Sequence, residues 1–231
     1  MYKAKITDIF IDLDHTLWDF ETNSKKAFEK LLNKHQIPVD INDFAEVYEP
    51  INQQYWEAYS KGIKTKEEVK YDRLIDTFKS LNISISKEMI HLIAHEYLEL
   101  LKTEKKLLDG AKELLEYLKE KYRLHILTNG FKEIQKEKMQ HSGIAHYFEN
   151  IITSEETGKQ KPHPDVFKYA LQKAETFAHQ SYMIGDNFKS DVLGARNVGM
   201  YAIHYDPMGL NNVDYKIIPK VRHLSEIKNI L

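Results

Sequence analysis

Hydrophobic and polar positions along the chain follow two rhythms. The first run, Ile6-Thr7-Asp8-Ile9-Phe10-Ile11, is short, β-branched and aromatic, and it stops at Asp12, as a buried strand would. From about residue 22 the spacing becomes that of amphipathic helices, with segments at 22–35, 43–61, 65–80 and 86–103. Ile37-Pro38, Gly62, and Asn82 with Ser84 and Ser86 punctuate them. Beyond residue 106 helix and strand alternate. The pattern predicts helices over 109–121, 131–142, 164–174 and 191–198, and strands over 123–128, 151–153, 181–185 and 200–204. The tail from Asn211 is only weakly periodic, with a short helix predicted over 224–231.

One strand thus precedes the helical block and about four follow it, each reached through a helix, which predicts an α/β fold with a doubly wound parallel sheet. The helical block reads as an insertion after the first strand. The predicted division is an α/β core of residues 1–17 and 106–231 and a four-helix cap of residues 18–105. Tyr48, Tyr55, Trp56 and Tyr59 recur at helical spacing in the insert and are expected in its core.

Composition narrows the classes. The 231 residues are 42% hydrophobic and 29% charged, enough for a sizeable core. With 33 basic and 35 acidic side chains the formal charge is -2, which gives no electrostatic case for a nucleic-acid polymer or an anionic membrane. No stretch approaches the roughly 20 apolar residues of a membrane span, and the start Met1-Tyr2-Lys3 lacks a signal-type apolar region, so a cytoplasmic location is expected. Without cysteine there are no disulfides, thiolate nucleophiles or thiolate metal sites. Any metal must bind oxygen or histidine.

Candidate chemistry gathers at predicted strand ends, where open parallel sheets bind ligands. Asp12 and Asp14 follow the first strand. Asp12 can attack phosphorus as a nucleophile and Asp14 can shuttle a proton, or both can be turn carboxylates capping a helix. Thr128-Asn129-Gly130 follows the second strand, where a hydroxyl and backbone amides can bind phosphate or simply cap a helix. Lys161 can neutralise Asp12 and a phosphate; Lys159 competes for that role, and the prolines after Lys161 favour it by stiffening its loop. Asp186 ends a later strand and can complete an all-oxygen site suited to Mg²⁺, with Asp191 supporting it or capping the next helix. His91 and His95 have metal-ligand spacing but no evident third ligand, and read as surface or packing histidines. Trp18 and Phe20 directly follow the acidic pair and suit either closure over a substrate or hinge packing.

Taken in order, Asp-x-Asp-x-Thr, a Thr after strand two, Lys-Pro-x-Pro and Gly-Asp-x(4)-Asp resemble the haloacid dehalogenase (HAD) superfamily. The resemblance covers the whole chain, with the helical insert as the small cap of that family. The wording from Thr128-Asn129-Gly130-Phe131 through Ser154-Glu155-Glu156-Thr157-Gly158 to Lys161-Pro162 is most similar to the house-cleaning branch of pyrimidine 5'-nucleotidases. The resemblance implies a Mg²⁺-dependent phosphomonoesterase working through an aspartyl-phosphate. In it Asp12 is nucleophile and metal ligand, and Asp14 is acid/base with its backbone carbonyl on the metal. Thr128, Asn129 and Lys161 bind phosphate, Asp186 is the remaining protein ligand, and Asp191 stands behind them. His15 falls where many relatives have glycine. The expected partner is a small phosphorylated metabolite, a nucleotide first, handled by a monomer or weak homodimer. Phosphosugar or phosphoglycolate phosphatase, a mutase, a dehalogenase and a phosphoacceptor signalling module are the alternatives. Asp14 and Asp186 speak against attack at carbon, and the inserted helices against a signalling module.

Overall fold

The computed structural model describes residues 5–209 and 218–231. The chain forms two compact units, Met1–Phe20 with Lys105–Leu231, and Glu21–Glu104. The first carries a six-stranded sheet of β1 (Asp8–Ile11), β2 (Arg123–Thr128), β3 (Asn150–Thr153), β4 (Ser181–Gly185), β5 (Tyr201–Tyr205) and β6 (Lys220–Val221). The spatial order is β3-β2-β1-β4-β5-β6 and every pairing is parallel. Chain order therefore reverses between β1 and β4, the position at which such sheets open a crevice beyond their carboxyl ends. The doubly wound sheet is as expected, with one more strand than the pattern predicted. β6 is only two residues long, too short to leave a periodic signature.

Packing fixes these strands. Ile9, Phe10, Ile11, Ile126, Leu127, Ile152, Met183 and Ile184 are all buried, as a parallel sheet covered on both faces requires. In this unit the covering helices are α5 (Ala111–Lys119), α6 (Lys132–His141), α7 (Pro164–Lys173) and α8 (Gly194–Asn197). Pro164 sits in the first turn of α7, where its missing N–H costs nothing. The helix predicted over 191–198 is instead a turn of π-helix, Phe188–Leu193, followed by the single turn of α8. The end of the chain forms a 3-10 helix, Leu224–Asn229, rather than an α-helix, and the tail between 210 and 217 lies outside the described residues.

The amino end of β1 holds a closed polar cluster. Asp8 is fully buried, yet it accepts from Arg123 (2.8 Å), Thr7 (2.6 Å) and Thr176 (2.6 Å), and from His125 Nε2 (2.9 Å). Asn150 Nδ2 donates to His125 Nδ1 at 3.0 Å, which leaves the imidazole neutral with its proton on Nε2. Burial alone raises a carboxyl pKa, but these donors outweigh it and hold Asp8 below the usual carboxylate range. Burial likewise lowers the pKa of His125 despite the neighbouring Asp8.

The second unit is helical: α1 (Phe20–Lys34) enters it, and α2 (Ile41–Ser60), α3 (Lys66–Ser80) and α4 (Lys87–Thr103) follow. Asp40, Thr65 and Ser86 cap the last three through their side chains, Thr65 in a reciprocal capping box with Glu68. The core of the bundle is aromatic, with Phe28 stacked on Tyr97 (ring centroids 4.1 Å) and edge-on to Tyr48 (4.6 Å). Of the four aromatics expected there, only Tyr48 is fully buried; Tyr55, Trp56 and Tyr59 are half-buried. They lie on the outer turns of α2, where Tyr55 donates its hydroxyl to Asp76. No helix among the described residues is long and apolar enough to cross a membrane.

Candidate active site

Asp12 follows β1, and its backbone N–H donates to Ile184 O of β4 at 2.9 Å, closing the strand ends together. Its carboxylate meets Lys161, whose Nζ lies 2.7 Å from Asp12 Oδ1 and 2.7 Å from Asp191 Oδ1 and donates to Leu127 O at 2.6 Å. Lys161 is only 1% exposed, and its ammonium faces these three oxygens at the mouth of the strand ends. Asp186, next to the end of β4, accepts from Thr16 Oγ1 at 3.1 Å, and its own N–H returns a bond of 3.1 Å to the same hydroxyl. His204 Nε2 donates to the Asp186 carbonyl at 2.9 Å. Oxygens of Asp12, Asp186 and Asp191 all lie within 4.8 Å of one another.

A single ammonium does not balance three carboxylates, two of them buried and that of Asp186 half-buried. Burial, and then the charges of Asp191 and Asp186 against the opposing pull of Lys161, push Asp12 up to about 8. Burial and Asp191 push Asp186 up to about 7. Asp12 and Asp191 in turn raise Lys161 although burial opposes them. The cluster has surplus negative charge in a hard, all-oxygen donor set, and that fits a cation of the Mg²⁺ kind. The local backbone is shaped for the crowding. A Cβ on Gly185 would stand 2.3 Å from Asp191 Oδ2, so only glycine lets that carboxylate in. Asn187 N donates to Asp191 Oδ2 at 3.1 Å while the Asn187 side chain caps Lys189 and Ser190, opening the π-helical turn.

A second set of contacts surrounds Thr128, at the carboxyl end of β2. Its hydroxyl oxygen accepts from Gly130 N (3.0 Å) and Gln135 Nε2 (2.8 Å), leaving the hydroxyl proton to donate to an anion. Asn129 is used differently from expectation. Its side chain accepts from Lys161 N (2.8 Å) and donates to Lys161 O (3.1 Å), so only its backbone remains for a phosphate. The Asp14 carboxylate is not part of the three-carboxylate cluster. It is ion-paired with Lys138 and accepts from Gln135 Nε2 at 2.9 Å. Burial raises the Asp14 carboxyl, but the Lys138 charge and the bonds from Lys138 and Gln135 bring it below its ordinary value.

Lys138, Gln135 and the hydroxyl of Thr16 had no assigned role in the sequence reading. Gln135 and Lys138 sit three apart on α6, on the face that Ile134 and Met139 mark as buried, and polar residues at core positions were the available signal. Trp18 is fully buried and lies under Lys138 Nζ, 3.8 Å from its ring centroid, and its Nε1 donates to Ser142. Trp18 is thus a packing residue in this unit. His15 has a φ of 63°, the left-handed region that glycine favours, and its ring packs 5.0 Å from that of Phe20. Lys159 does not join the cluster, and its backbone bonds Thr157. His91 and His95 are exposed, and among the described residues only Asp12, Asp186 and Asp191 form a metal-capable group.

A strand-end aspartate held by a buried lysine, beside two more carboxylates at the switch point of a doubly wound sheet, defines a class of hydrolases. The chain belongs to the haloacid dehalogenase-like hydrolases, whose family profile matches residues 8–199. Over 226 residues it is 31% identical to the putative HAD-hydrolase YfnB of Bacillus subtilis, covering 96% of this chain and 94% of that one. The crystal structure of YfnB, described as bound to magnesium, superposes with a TM-score of 0.88 at 30% identity over 99% of each chain. The chain is also 31% identical to the pyrimidine 5'-nucleotidase PynA of Streptococcus pneumoniae, over 88% of this chain and 85% of that one. It is 30% identical to a glyceraldehyde 3-phosphate phosphatase of Methanothermobacter thermautotrophicus, over 95% and 98%.

Proposed function

We propose that this hydrolase is a Mg²⁺-dependent phosphomonoesterase that forms an aspartyl-phosphate on Asp12, with nucleoside 5'-monophosphates as its first substrate class. The observation that carries the reading is the Asp12 carboxylate, paired with Lys161 at 2.7 Å and crowded by Asp186 and Asp191. An oxygen of Asp12 bonds to phosphorus as the ester P–O bond breaks, and Asp14 gives its proton to the leaving oxygen. Water then attacks phosphorus and returns a proton to Asp14, the P–O bond to Asp12 breaks, and phosphate leaves with both carboxyl groups restored. Asp14 starts from a depressed pKa, and the negative charge of an arriving phosphate raises it again towards a form that can donate. Lys161 and the Thr128 hydroxyl bind the phosphate oxygens, and Asn129 fixes the Lys161 backbone. Asp12, Asp186 and the Asp14 carbonyl are the proposed ligands of Mg²⁺, which when bound offsets the charge of carboxylates and phosphate. Asp191 orients Lys161 from behind.

Similarity to PynA supports the nucleotide class. The glyceraldehyde 3-phosphate phosphatase match supports small phosphosugars as the second reading. Phosphate release from a panel of nucleoside monophosphates and sugar phosphates, with Mg²⁺ and with EDTA, tests both. The expected result is Mg²⁺-dependent release, fastest from a pyrimidine 5'-monophosphate. Sugar phosphates turning over fastest would move the assignment to the second reading, and no release from any monoester would end the phosphatase assignment.

A further inference from the structure

We infer that Lys138 and Gln135 of α6 are positioning residues that clamp the Asp14 carboxylate in the orientation its proton transfer requires. The inference rests on the phosphomonoesterase reading and adds two residues to it. Both arms are spatially specific. Lys138 Nζ takes Asp14 Oδ1 and Gln135 Nε2 takes Asp14 Oδ2 at 2.9 Å, so each carboxylate oxygen has its own donor. Gln135 spans Asp14 and Thr128, bonding the Thr128 hydroxyl at 2.8 Å, which links the proton-transfer group to the proposed phosphate group.

The clamp is itself held. Lys138 is 1% exposed, and its ammonium rests 3.8 Å from the Trp18 ring centroid, a cation–π contact that limits where a flexible lysine can point. The Trp18 indole donates to Ser142 Oγ at 3.0 Å, and Ser142 Oγ donates to Lys138 O at 2.7 Å, so the ring is tied back to the helix that carries the lysine. Gly130 leaves the space. A Cβ there would stand 1.9 Å from Gln135 Nε2 and 3.3 Å from Asp14 Oδ2. A buried lysine is expensive unless it is paired, and this one is paired to the carboxylate assigned the proton shuttle. Such a clamp raises no affinity for substrate. It acts on the step in which the leaving oxygen needs a proton.

Leaving-group dependence separates positioning from bracing. Lys138→Met keeps volume and removes the charge. With an alkyl phosphomonoester, kcat/KM, which reports the steps up to loss of the leaving group, should fall on the order of 10–100-fold, whereas that for p-nitrophenyl phosphate, whose nitrophenolate leaves without a proton, should fall far less. Gln135→Leu should show the same asymmetry at smaller size, and it serves if Lys138→Met does not fold. Crystal structures of the variants should show the Asp14 carboxylate turned from its wild-type orientation. Equal losses of kcat/KM with both esters, or undiminished kcat/KM with both, overturn the clamp. If wild-type protein cleaves neither ester, the phosphatase reading falls by itself, and the Asp14 orientation then decides the clamp: unmoved in both variants, it is overturned.

Discussion

The two ends of β1 carry buried aspartates four residues apart in sequence, and they are treated in opposite ways. Asp8 is saturated by an arginine, a neutral histidine and two hydroxyls, and its pKa is depressed. Asp12 has one lysine to share with Asp191, stands beside Asp186 as well, and is pushed up to about 8. The same side chain is thus fully paired at the amino end of the strand and under-neutralised just past its carboxyl end, where we propose the nucleophile. What separates them is the ratio of donors to carboxylates, and only the second end carries the surplus negative charge that the proposed cation would offset.

The sharpest way to test that contrast is to remove each charge without changing shape. Asp12→Asn should abolish turnover, by about 10⁴-fold or more, with the melting temperature of the metal-free protein unchanged or raised and any stabilisation by added Mg²⁺ lost. Residual turnover near the wild-type rate in Mg²⁺-replete buffer would remove Asp12 as nucleophile. Asp8→Asn should do the reverse, costing about 3 kcal/mol in urea unfolding because Arg123 and His125 lose their partner, while turnover per folded molecule is unchanged. A stability loss below about 0.5 kcal/mol would mean that the amino-end cluster is not the brace described.

The smallest effect is in pH. The folded pKa of His125 is below its ordinary 6.5, so folding favours the neutral ring, and that contribution is complete above 6.5 and lost as pH falls through the folded value. Asp8 behaves alike further down, its contribution present above 3.8 and lost as pH falls through its depressed value. Asp12 and Asp186, pushed up to about 8 and about 7, act in the opposite sense and stabilise the metal-free fold as pH falls, so the cluster is read by difference: the gap in urea midpoint between wild type and Asp8→Asn, measured in EDTA, should narrow as pH falls below 3.8. A gap that stays constant or widens below that pH would contradict the cluster.

Much of the fold is legible in the amino-acid sequence. Apolar runs such as Ile9-Phe10-Ile11 and Met183-Ile184 mark buried strands, and an acid at the end of a run marks a crevice, because a parallel sheet leaves only its strand ends open to ligands. The illegible part was polar. Gln135 and Lys138 fall on the apolar face of their helix, but nothing local names their partner, which is Asp14, more than a hundred residues earlier. Asp8 looks like an interruption of a strand until Arg123, His125 and Thr176 are brought beside it. The π-helical turn at Phe188–Leu193 depends on Asn187 capping two amides and Asp191 folding back onto Asn187 N, a local hydrogen-bond choice that periodicity does not encode.

The place where the chain leaves the α/β unit and returns to it carries a consequence for engineering. Leu108 N donates to Leu17 O, Asp19 N donates to Lys106 O, and Trp18 bridges Leu107 in antiparallel register. Exit and return are zipped side by side, with backbones about 5 Å apart, a span that a tight turn of a few residues closes. The helical insert is thus spliced in at a seam. It can be excised behind a short hairpin, or traded for another helical block, with the seam as a ready-made pair of attachment points.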